Sequence, residues 1–142
     1  HMQSIYDSRE NGQKVTIHAS NGKSPENIVN TAIRFRGEFN KKVVFIDSDI
    51  ALTNKVRREI KSKRIEVIYS QPICLEGMLL SMLKEVIPIT SPQCKKALHP
   101  KLDDNPTKSG SYSTLFTREV LDTCNIESIS KLIKLLSNSN DQ

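Results

Sequence analysis

From Lys14 to Leu80, short apolar runs alternate with amphipathic segments, the order expected of a parallel sheet covered by helices. Val15-Thr16-Ile17-His18-Ala19 alternates like a half-buried strand, and Ser20-Asn21-Gly22 supplies turn chemistry after it. Ser24-Pro25-Glu26 reads as a helix start: a capping hydroxyl, proline at the first helical position and an acid favoured by the dipole. Ile28, Val29, Ala32, Ile33 and Phe35 form its inward stripe, which fades near Gly37. Lys41 to Ile46 predicts a second strand, and the unbroken run Val43 to Ile46 suits burial on both faces. A helix follows from Thr53 to Lys63, with Val56 and Ile60 on one side. Ile65 to Tyr69 is a third strand, Ser70-Gln71-Pro72 a turn, and Ile73 to Val86 an apolar helix carrying Leu75, Met78, Leu79, Met82 and Leu83.

Beyond Ile87 the pattern weakens. Pro, Ser, Asp, Asn and Lys dominate Pro88 to Ser111, which reads as a long, partly irregular and mobile segment. Ser113 to Thr123 and Asn125 to Leu136 predict two helices, the second with Ile126, Ile129, Leu132, Ile133 and Leu136 at helical spacing. The expected organisation is an α/β core over residues 3–87 with a small parallel sheet flanked by helices. An irregular connection over 88–112 and a helical pair over 113–137, packed on the core, complete it.

Composition narrows the class. The 142 residues are 37% apolar and 26% charged, with five Gly and six Pro, which excludes disordered, collagen-like and membrane-spanning chains. Cys74, Cys94 and Cys124 are odd in number and irregularly spaced, so a reduced, cytoplasmic protein is expected. Cys94 and His99 lack a second Cys or His pair at zinc-ligand spacing. Twenty-one cations against sixteen acids give +5 and tilt the expectation toward a polyanionic partner. Lys55, Arg57, Arg58, Lys61, Lys63 and Arg64 crowd into ten positions of the second helix, where they read equally as phosphate contacts or as a solvated face. Aromatic residues are few and Trp is absent, so base stacking is poorly supplied.

Three acids carry the candidate chemistry. Period-2 alternation points Asp47 and Asp49 the same way at the carboxyl edge of the sheet, where open α/β folds place ligands. Two carboxylates so placed suit Mg²⁺ or Mn²⁺, or else one ends a strand and the other caps a helix. Glu76, after the third strand, is the natural third acid, although by itself it reads better as a first-turn acid of a helix. Gly22-Lys23-Ser24 lacks the first glycine of a phosphate loop, because Ile17 stands there.

The run Val43-Val44-Phe45-Ile46-Asp47-Ser48-Asp49, a basic helix, and then Ile68-Tyr69-Ser70-Gln71-Pro72-Ile73-Cys74-Leu75-Glu76 resembles the RloB-like branch of the Toprim fold. In that branch an Asp-x-Asp strand end is followed, one helix and strand later, by a Ser-Asn-Pro-Cys-Phe-Glu segment. The resemblance spans roughly Val15 to Leu83 and implies a metal-dependent nuclease of DNA or RNA from a bacterial or phage-defence setting. Asp47, Asp49 and Glu76 would be its catalytic metal ligands and Mg²⁺ or Mn²⁺ its cofactor, with a protein such as an ATPase as a further partner. The alternative it implies is a catalytically inactive module that binds nucleic acid or a partner protein. Two departures stand out: Ile73 is inserted between the proline and the cysteine, and the family's leading Glu-bearing strand has only Glu10-Asn11-Gly12 as an imitation. That strand is either outside this chain, supplied by a partner, or lost together with cleavage.

Overall fold

The computed structural model describes residues 1–6, 14–20 and 23–137. Two parallel strands, β1 (Val43–Asp47) and β2 (Glu66–Ser70), pair in the register Val43 opposite Glu66 through Asp47 opposite Ser70. The helices are α1 (Met2–Ile5), α2 (Pro25–Arg34), α3 (Asn54–Ser62), α4 (Leu75–Met82), α5 (Ser91–Leu98), α6 (Arg118–Thr123) and α7 (Glu127–Ser137), with 3₁₀ turns at His99–Lys101 and Ser109–Tyr112. The α/β class and the parallel pairing are therefore those the alternation predicts. Among the described residues, no helix is long and apolar enough to cross a membrane.

β1 divides the interior in two. Val44 and Ile46 face a cluster of Val29 on α2, Val56 on α3, and Leu52 and Ile65, which flank α3. Phe45 points the other way, toward the larger cluster of Met78, Leu80, Cys94, Leu98, Phe116, Leu121 and Ile129. A strand sandwiched in this manner needs apolar residues on both faces, which explains the unbroken run. Helix starts follow local chemistry: Ser24 Oγ accepts the Asn27 N–H and Thr53 Oγ1 accepts the Val56 N–H.

Several elements differ from the sequence pattern. Val15 to Ala19 is largely exposed and pairs with no strand, so the sheet has two members among the described residues. Ser91–Leu98, expected to be irregular, is helical because Thr90 Oγ1 caps it, Pro92 sits in its first turn, and Cys94 and Leu98 four residues apart are buried. The helix expected from Ser113 begins only at Arg118, where Thr117 Oγ1 receives the Val120 N–H. α1 was not foreseen; it is followed by Tyr6, whose buried ring sends its hydroxyl to Asp122 Oδ1 at 2.5 Å. Glu10-Asn11-Gly12 lies outside the described residues.

Candidate nucleic-acid interface and acidic rim

α3 presents the basic surface. Val56 is buried and Ile60 half-buried against the sheet, so the 100° step of the helix turns Lys55, Arg57, Arg58 and Lys61 outward. Lys63 and Arg64 continue the exposed surface past the helix end. There the Ile65 N–H donates to the Ile60 carbonyl at 3.0 Å and the Arg64 N–H to Lys61 at 3.3 Å. This is a Schellman closure with Arg64 in the left-handed conformation at φ 53°. Cations at this end are favoured by the helix dipole. Among the described residues none of the six makes an ion pair, leaving their charge to face solvent.

The acids lie at the opposite ends of these elements, beyond the carboxyl ends of the strands. Asp47 Oδ1 accepts two hydrogen bonds, from Ser70 Oγ at 2.7 Å and from the Leu75 N–H at 3.0 Å. It thereby ties the end of β1 to the end of β2 and to the first turn of α4. Asp49 Oδ2 instead accepts from Ser91 Oγ at 2.7 Å, at the start of α5. Glu76 goes elsewhere: its carboxylate is 4.0 Å from His99 Nε2 and its side chain is only 17% exposed. Burial pushes up the Cys94 thiol, with Cys74 and then Glu76 adding to the effect, and burial followed by Glu76 raises the Tyr112 hydroxyl.

The expectation that three acids meet at one rim is not realised among the described residues, where no group of three His, Cys, Asp or Glu side chains is placed to hold a metal ion. The three-acid set implied by the resemblance does not fit a shared Mg²⁺ or Mn²⁺ in this arrangement. Leu75, at the first position of α4, meets Asp47 through its backbone N–H, whereas the Glu76 side chain turns to His99, just past the end of α5. Upstream, Ile73 takes φ 65°, and the Cys74 N–H closes a three-residue turn on the Pro72 carbonyl at 2.8 Å.

Sequence reasoning missed Ser70 and Ser91, the hydroxyls that hold the two aspartates. Thr90-Ser91-Pro92 repeats the hydroxyl-proline signal of Ser24-Pro25 and could have revealed α5. No known protein family, curated protein or solved structure matches the chain.

Proposed function

We propose that this chain is a nucleic-acid-binding module of Toprim-like α/β architecture that grips the phosphate backbone through α3 without cleaving it. One observation carries the reading. The eleven residues Asn54 to Arg64 hold six cations and one acid, so this stretch alone has the +5 of the whole chain, and cations and acids balance elsewhere. Exposed and without an ion pair among the described residues, those cations can displace the counterions condensed on a nucleic acid, which makes binding favourable at low salt and steeply salt-dependent. Anisotropy titrations of labelled duplex DNA and of tRNA across a salt series test this. A salt slope unchanged by Arg57→Ala with Lys61→Ala would remove the assignment.

A metal-dependent nuclease is the second reading, favoured by Asp47, which is oriented by two donors on one oxygen while Oδ2 accepts no hydrogen bond among the described residues. Cleavage of plasmid or tRNA that requires Mn²⁺ or Mg²⁺ and is lost in Asp49→Ala would establish it and overturn the non-cleaving module.

A further inference from the structure

Cys74 and Cys94 lie in one buried cluster, 1% and 0% exposed, and both are free thiols. Neither serves the basic face of α3 or holds one of the aspartates. Cys74 immediately precedes α4, and Cys94 stands in α5. The Met78 N–H donates to the Cys74 carbonyl at 3.0 Å, so the helical turn is closed there and Cys74 and Gly77 share one face of α4. On that face α5 comes close: a Cβ added to Gly77 would stand 3.5 Å from Cys94 Sγ. The missing side chain leaves Cys94 room beside the first turn of α4, which Cys74 opens. The two thiols sense each other, since Cys74 adds to the burial that pushes the Cys94 thiol up.

We propose that Cys74 and Cys94 are a redox-sensitive staple, closing to a disulfide between the start of α4 and α5 when the protein meets hydrogen peroxide. The chemistry runs in two steps. The Cys74 sulfur attacks one peroxide oxygen, the O–O bond breaks, and a sulfenic acid and one water result. The Cys94 sulfur then attacks the Cys74 sulfur; the S–S bond forms, the S–O bond breaks, and the hydroxyl leaves with the thiol proton as a second water. Two thiols thus lose two protons and two electrons, and one peroxide becomes two waters. Cys74 attacks first because burial keeps the proton on Cys94. Hydrogen peroxide, hardly larger than water, is an oxidant of a size to reach thiols this enclosed.

The output is local. In the reduced protein Cys94 Sγ donates to the Pro88 carbonyl at 3.6 Å, in the stretch that carries the exposed Val86 and Ile89 and leads to Thr90, the cap of α5. Oxidation consumes that proton, so the Pro88 carbonyl loses its donor while a covalent link fixes α5 to α4. The link also spans the acidic rim. Leu75, next to Cys74, meets Asp47, and Ser91, one turn before Cys94, holds Asp49.

Mass spectrometry of the intact chain treated with hydrogen peroxide tests this, with Cys124 as the internal control. That third thiol is half-buried at the end of α6, its Sγ on the Leu121 carbonyl at 3.3 Å. The monomer should lose about 2 Da, mapped by peptide analysis to a Cys74–Cys94 bridge, in the parent and in Cys124→Ser but not in Cys74→Ala or Cys94→Ala. Closing a loop of about twenty residues should raise the melting temperature by roughly 5–10 °C, and a thiol reductant should reverse the rise. Peptide mapping of the parent decides the pairing even where a variant does not fold. Oxidation of Cys124 while Cys74 and Cys94 stay reduced would overturn the staple. So would a bridge to Cys124, or a melting temperature lowered by the bridge between Cys74 and Cys94.

Discussion

Asp47 and Leu75 are 28 positions apart in the chain, yet the carboxylate of the first accepts the backbone N–H of the second at 3.0 Å. Cys74, the residue preceding α4, makes no side-chain cap bond of its own. The end of β1 therefore caps a helix whose local sequence leaves its first turn open, and the same oxygen holds Ser70 on β2. One carboxylate joins three elements.

Asp47→Ala should lower stability by about 2 kcal/mol, the sum of a lost cap and of a buried Ser70 hydroxyl left with only its long, 3.4 Å bond to the Ile46 carbonyl. Asp47→Asn retains an acceptor oxygen and should cost less. Urea unfolding of both variants measures the difference, and equal losses would show that charge, not the hydrogen bonds, matters. In the non-cleaving module, Asp47→Ala protein that remains folded binds nucleic acid as tightly as the parent.

On α3, Arg57→Ala, Arg58→Ala and Lys61→Ala should each flatten the log–log salt dependence of binding by about 1. All three side chains are exposed, so stability should stay within about 0.5 kcal/mol of the parent. Val56→Ala on the inner face is the opposite control: 1% exposed, it should lose about 2 kcal/mol of stability and leave the salt slope intact. Paired thermal melts and anisotropy titrations separate the two behaviours.

Burial, and after it the hydrogen bond to Asp122, lifts the Tyr6 hydroxyl from 10 to about 12. The folded state holds this proton more tightly than the unfolded chain does. The resulting stabilisation is complete below pH 10 and disappears as pH rises from 10 to about 12. Tyr6→Phe should lose stability at neutral pH and show a shallower decline over that alkaline window. Parallel decline of the two proteins, followed by denaturant midpoints, would refute the coupling.

Gly77 offers a test of how tightly the β2–α4 turn is fitted. A Cβ added there would stand 2.5 Å from the Pro72 carbonyl oxygen and 3.5 Å from Cys94 Sγ. Alanine gains about 1 kcal/mol of helix propensity over glycine, but the turn must shift to admit it. Gly77→Ala should therefore destabilise the protein by about 1–3 kcal/mol in chemical denaturation; a stabilised variant would mean the turn yields freely.

The legibility of this chain followed the range of the signal. Ser24-Pro25 and Thr53 announce α2 and α3 because a cap and its N–H partner are three residues apart, and Val43 to Ile46 announces a doubly covered strand through its own composition. Thr90-Ser91-Pro92 carries the same announcement for α5, but the polar residues around Cys94 and Leu98 obscured a two-residue stripe. Glu76 was misplaced for another reason. Its position after β2 is correct, and its direction depends on how many residues the intervening turn contains.

The sequence by itself determined the helices with capped starts, the two strands and the concentration of charge on α3, since each depends on residues within a few positions of one another. Only the tertiary structure decided where the acids point: Asp47 to Ser70 and Leu75, Asp49 to Ser91, Glu76 toward His99. A helix advances 100° per residue, so the point at which α4 begins decides which way each of its side chains faces. No periodicity along the chain records that rotation.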